Sequence, residues 1–155
     1  MGAVKFYHVT QGTLEAAALA LITRALDQGW RVMLRSPDRP RLERLDEALW
    51  LDPEDSFLPH GLEGGPQDAD QPLLLGQGAA ANGAQAVLLF PGMAVDPAEA
   101  RGLERLWVMF GEDEAQKAAA RTEWRGVVAA GLVAEYWSDA GGRWALQSAS
   151  GAAGG

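Results

Sequence analysis

Residues 85–110, QAVLLFPGMAVDPAEARGLERLWVMF, decide the fold. The run QAVLLF (85–90) is short and almost wholly apolar, the pattern of a strand buried on both faces. Pro91-Gly92 stops it. Asp96-Pro97 then opens a helix. Asp96 serves as N-cap and Pro97 takes the first helical position, where an N–H has no intrahelical partner anyway. This helix is expected to reach about Glu104. LWVMF (106–110) follows as another strand. Strand, helix and strand in this order predict parallel strands joined by a crossover helix.

The same alternation runs outward in both directions. VKFYHV (4–9) reads as a strand, and Thr13 is a plausible N-cap for an Ala- and Leu-rich helix over 14–28, with Gly29 as its stop. WRVML (30–34) is a second strand, and Leu73–Leu75 a short one. GQGAAANG (76–83) is a small-residue turn. A helix over 112–130 carries acidic residues in its first turn, where the helix dipole favours them. Residues 132–137 and 143–146 form a hairpin around Asp139-Ala140-Gly141-Gly142. The expected fold is α/β: a three-layer, mainly parallel (mixed) sheet with helices on both faces. One domain spans 1–147, with a flexible Gly/Ala tail over 148–155.

Composition narrows the function. The 155 residues carry a formal net charge of −8, six tryptophans and no cysteine. Disulfides and thiolate sites are excluded. An acidic surface repels phosphate backbones, so binding of nucleic acid by the surface as a whole is not expected. The N-terminus lacks the apolar core of a signal peptide and no apolar run is long enough for a membrane span, which predicts a cytoplasmic protein.

Catalytic signals are sparse. The turn after the first strand, Thr10-Gln11-Gly12-Thr13, has neither G-x-G-x-x-G nor a Walker lysine, so the fold is Rossmann-like without a phosphate-binding loop. Gly76-Gln77-Gly78 is a lone G-x-G. His8 and His60 have no second ligand at metal-binding spacing. Ser56 and His60 make no triad. No cofactor is expected.

Two stretches stand out. On the last helix, Lys117, Arg121 and Arg125 follow i, i+4, i+8, with Trp124 and Val128 on the same face. Like charges at this spacing repel by a few tenths of a kcal/mol per pair. Lys117 can lean on Asp113, but Arg121 has no acid at i±3 or i±4. The row is either neutralised by another element or a site for an acidic peptide with an aromatic end, arginines taking carboxylates and Trp124 and Val128 walling an apolar pocket. Single-stranded DNA stacking on Trp124 is the competing reading.

The second stretch is RLERLDEALWLDPEDSFLPHG (41–61). Leu42, Leu45 and Leu49 make one buried stripe, and Trp50 lies off it. Asp52-Pro53 ends the helix. Pro59 and Gly61 make a regular strand after Ser56-Phe57 unlikely on sequence grounds. Trp50 and Phe57 read either as a satellite core or as a docking patch.

LDEALW, a short acidic spacer and then SF-x-PH resemble the chi subunit family of the bacterial DNA polymerase III holoenzyme. The early FYH strand and the helix around Arg121 are similar too, while residues 64–83 and the tail depart from the pattern. The resemblance implies a non-catalytic accessory subunit that links the clamp loader to single-stranded DNA-binding protein by holding its acidic C-terminal tail. It implies Lys117, Arg121, Trp124 and Arg125 as the tail site, to which the helical face adds Val128. It implies Trp50, Phe57, Pro59 and His60 as the surface for a psi subunit or equivalent, and in some bacteria for an accessory helicase. Direct nucleic-acid and membrane binding are not expected. The alternatives are a nucleotide-dependent enzyme on the same sheet, or a generic α/β interaction domain.

Overall fold

The computed structural model describes residues 3–51 and 58–150. Its elements run β1 (Val4–His8), α1 (Leu14–Asp27), β2 (Val32–Arg35), α2 (Arg39–Leu51), β3 (His60–Leu62), a 3₁₀ turn (Asp68–Asp70) and β4 (Leu73–Gly76). Then follow β5 (Ala86–Leu89), α3 (Pro97–Arg101), β6 (Arg105–Phe110), α4 (Glu114–Ala129), β7 (Ala134–Ser138) and β8 (Ala145–Ser150). The eight strands form one sheet in the order β3-β4-β2-β5-β6-β1-β7-β8. Every pairing is parallel except β7–β8, which closes the hairpin. The chain is thus an α/β fold with a mixed, mostly parallel sheet.

Strand parity sorts the core into two layers. Tyr7, Val32, Leu34, Leu88, Trp107 and Met109 face α1 and α2, and pack on Leu14, Ala18, Leu21, Ile22, Leu42 and Leu45. The residues between them, Phe6, Met33, Val87, Leu89, Val108 and Phe110, face α3 and α4 with Ala100, Ala120 and Val127. Leu88 has no exposed surface, and burying such a side chain contributes about 1.5–3 kcal/mol. Helix starts follow their caps: Thr13 Oγ1 accepts from the Ala16 N–H at 3.0 Å, and Asp96 Oδ1 from Ala98 N–H at 3.0 Å. Gly29 ends α1 at φ +87°, a conformation open to glycine and costly for other residues.

The structure departs from the sequence reading in three places. A strand does form at His60-Gly61-Leu62, parallel to β4. It is only three residues long and lies at the sheet edge, so Pro59 falls just outside it. Gly61 suits the position, because a Cβ there would lie 2.9 Å from Gln71 Nε2. Secondly, α3 stops at Arg101 rather than near Glu104. Gly102 caps it, which frees Leu103 to bury and Arg105 to begin β6. Thirdly, β8 continues past Leu146 to Ser150, pairing Tyr136 with Ser148 and Ala134 with Ser150.

Candidate functional site

α4 packs on the face of the sheet made by β1, β6 and β7, and borders a cavity of about 330 Å³. Asp113 starts the helix by accepting the N–H groups of Ala115 and Gln116 at 2.8 and 3.1 Å. With Asp113 turned to the backbone, Lys117 pairs instead with Glu114, Nζ to Oε2 at 2.8 Å. The sequence reading had Lys117 lean on Asp113; capping decides otherwise. The Glu114 carboxylate, through its hydrogen bond, holds the Lys117 ammonium above its usual value, and Lys117 in turn holds Glu114 below the usual carboxylate range.

The cavity floor is aromatic. Phe6 of β1, Phe110 of β6 and Tyr136 of β7 line it together with Trp124 of α4. Trp124 meets Phe6 with ring centroids 5.2 Å apart at 59°, a tilted arrangement that aromatic pairs favour. Lys117, Arg121, His8 and Ser148 complete the lining. Among the described residues Arg121 makes no ion pair or hydrogen bond. Glu123 of the same helix turns to the Val95 N–H, which its Oε1 accepts at 2.8 Å. An unengaged guanidinium beside an aromatic floor suits a ligand with a carboxylate and an apolar ring.

Of the five residues that the sequence groups on α4, Lys117, Arg121 and Trp124 line this cavity. Arg125 is exposed and outside the lining, and Val128 is half-buried against the α3/α4 core layer. Phe6, Phe110 and Tyr136 were not grouped with them from sequence, and His8 was read only as a histidine without a second metal ligand. Period-two alternation puts Phe6 and His8 on one face, but only the sheet order brings that face under α4.

His8 is held on both sides. Its Nδ1 lies 3.0 Å from the Tyr136 hydroxyl and its Nε2 2.5 Å from Glu112 Oε1. Its ring stacks on Phe110 with centroids 4.7 Å apart. With both nitrogens engaged, His8 is not poised as a base for Ser148. Among the described residues no group of three His, Asp or Glu side chains could hold a metal. None of the described helices is long and apolar enough to cross a membrane.

The turn after β1, where a Rossmann fold would seat a phosphate, is filled from within. Asp139, 9% exposed, accepts from both the backbone N–H and the hydroxyl of Thr10 at 2.7 Å. Gly76-Gln77-Gly78 likewise cradles an internal anion: Glu63 accepts the N–H groups of Gln77 and Gly78 at 2.9 and 3.1 Å. A Cβ on Gly76 would lie 2.5 Å from the Glu63 carboxylate.

The second patch lies at the far edge of the sheet. Trp50 is 54% exposed and Leu51 69%. Trp50 sits over His60, ring centroids 4.5 Å apart. His60 itself is 3% exposed, so it underlies the surface rather than forming it, whereas Pro59 is exposed. Phe57 lies outside the described residues.

The family model described as DNA polymerase III chi subunit, HolC, matches residues 1–135. The DNA polymerase III subunit chi of Escherichia coli (strain K12) is 50% identical over 36 residues, which take in 23% of this chain and 24% of that relative. The family match covers the sheet from β1 into β7 and includes both α4 and the Trp50 patch, and on it the chain belongs to the DNA polymerase III chi subunit family.

Proposed function

We propose that the chain is a non-catalytic accessory subunit of the DNA polymerase III holoenzyme that holds the acidic C-terminal tail of single-stranded DNA-binding protein in the α4 cavity. The observation that carries this reading is Arg121. It makes no ion pair among the described residues, in a chain of net charge −8, at an aromatic-floored cavity. Lys117, already paired with Glu114, adds positive charge at the same rim. A tail with a terminal carboxylate and an aromatic last residue satisfies both halves: the guanidinium takes the carboxylate, and the ring enters among Phe6, Phe110 and Trp124. Arg125, exposed on the same helix, steers the rest of the acidic segment, and Val128 supports the helix from the core side.

The Trp50 patch is the proposed docking surface for a psi subunit or equivalent clamp-loader component, which would join the tail to the loader. Trp50, Leu51 and Pro59 are exposed, and His60 and Asp46 support them from beneath. A family relationship to a polymerase subunit supports such an assembly, since large aromatic side chains on a surface mark interface cores. Titration with an acidic peptide carrying a free or amidated C-terminus tests the first half of this reading.

A further inference from the structure

Four of the six tryptophans lie away from both patches. Trp30, Trp107, Trp137 and Trp144 belong to the α1 side of the sheet. The first three line a cavity of about 470 Å³ beside the C-terminal half of α1. Its charged lining is Lys5, Arg24 and Arg105 against Glu104, a local excess of positive charge in an acidic chain. The bases are committed unevenly. Lys5 pairs with Glu135 at 2.8 Å and lies 5.2 Å from the centre of the Trp137 ring. Arg105 lies over Trp30 at 5.4 Å, and among the described residues its only hydrogen bond is to the Glu104 carbonyl. Among the described residues neither Arg24 nor Arg105 pairs with a carboxylate.

Tyr7 completes the site. Its ring packs on Trp137 and Trp144 at 5.9 and 4.6 Å, and it is 8% exposed. Its hydroxyl has no hydrogen-bond partner among the described residues. Burial pushes this phenol up, the Arg24 and Arg105 charges pull it back and Glu135 adds to the rise, so both guanidiniums act on the same hydroxyl at the cavity. Two unpaired arginines, a phenolic donor and tryptophan walls match a planar aromatic group that carries an anion. A cavity of this volume accommodates a small ring-bearing ligand.

We propose that this cavity binds a nucleoside monophosphate unit, either free or as part of a single strand, with its phosphate on Arg24 and Arg105 and its base against the tryptophan walls. The site is on the opposite side of the sheet from the α4 cavity and is independent of the tail-binding reading. It also suits the net charge, because a local basic pocket holds one phosphate where the surface as a whole repels a long polyanion.

The test is calorimetry and tryptophan fluorescence of the full chain with thymidine monophosphate, thymidine, inorganic phosphate and a short oligothymidylate. The monophosphate should saturate one site. Thymidine and inorganic phosphate should bind at least about tenfold more weakly, since each keeps half of the contacts. Arg24→Ala, at an exposed position, should weaken the monophosphate about tenfold, and Arg121→Ala should leave it unchanged. An oligothymidylate that binds tighter than the monophosphate identifies a single strand as the source; one that does not identifies the free nucleotide. No saturable binding overturns the proposal, as does binding indifferent to Arg24→Ala and Arg105→Ala in folded protein. Equal binding of inorganic phosphate, or an Arg24-dependent acidic peptide in place of the nucleotide, overturns it as well.

Discussion

Asp46 and His60 meet between α2 and β3, with Asp46 Oδ1 3.0 Å from His60 Nε2. On the other side of the ring, Nδ1 lies 2.8 Å from the Leu58 carbonyl. The same Nε2 lies 3.2 Å from the Asp46 backbone carbonyl. The side chain of His60 has no exposed surface. This pair fixes the edge strand beneath Trp50. Asp46→Ala removes the carboxylate but keeps the Asp46 backbone carbonyl, so it should lower stability by about 0.5–1.5 kcal/mol, the net worth of one hydrogen bond. Urea denaturation checks it; an unchanged midpoint would show that the Asp46 carbonyl alone satisfies the ring.

Arg35 and Glu99 tie β2 to α3. The guanidinium donates to both carboxylate oxygens at 2.6 and 2.7 Å and, through Nε, to the Gly78 carbonyl at 2.8 Å. Arg35 is 8% exposed. Removing Glu99 would leave a buried charge without its counter-ion, so Glu99→Ala should cost about 3 kcal/mol in an unfolding titration. The same change at exposed Glu43, which pairs with Arg39 at 3.4 Å, should cost less than about 1 kcal/mol.

Glu15 of α1 bonds Arg41 of α2, and that hydrogen bond, opposed by burial, holds its carboxyl below the ordinary value of 4.5. A carboxylate with a lowered folded-state pKa favours folding at pH above the unfolded value. That contribution is lost as pH falls through the folded value. Glu15→Gln should therefore reduce stability at neutral pH and flatten the acid limb of the stability curve below about pH 4.5. Thermal melts from neutral to acid pH read this directly; parallel curves for the two proteins would contradict it.

On α4, Arg121→Ala should weaken the proposed tail contact by about 1.5–3 kcal/mol, the range for a hydrogen bond to a charged group. Arg125→Ala should cost less, because Arg125 is exposed and outside the cavity lining. Calorimetry on both variants checks the order; equal losses would move the ligand off the cavity and along the helix surface.

Local signals carried much of the fold. Thr13 and Asp96 cap their helices, and the apolar run through Val87 and Leu88 is a buried strand, because caps and periodicity act within a few residues. The edge strand at His60-Gly61-Leu62 was hidden, since its support comes from β4 and Gln71 rather than from its own composition. The α4 cavity was half legible for the same reason. The spacing of Lys117, Arg121 and Trp124 is a property of one helix. Phe6, Phe110 and Tyr136 reach them only through the β6-β1-β7 pairing, which no single segment encodes. The closing of the first βα turn by Asp139 was illegible too, since it joins residues 129 positions apart.

The central claim is tested most directly by titrating the protein with an acidic peptide ending in an aromatic residue, its terminal carboxylate free or amidated, at low and moderate salt. The account predicts modest binding that needs the free carboxylate, weakens as salt screens the ionic contacts, and is weakened by Arg121→Ala. Binding that ignores amidation, or none at either salt concentration, would contradict a tail site at the α4 cavity.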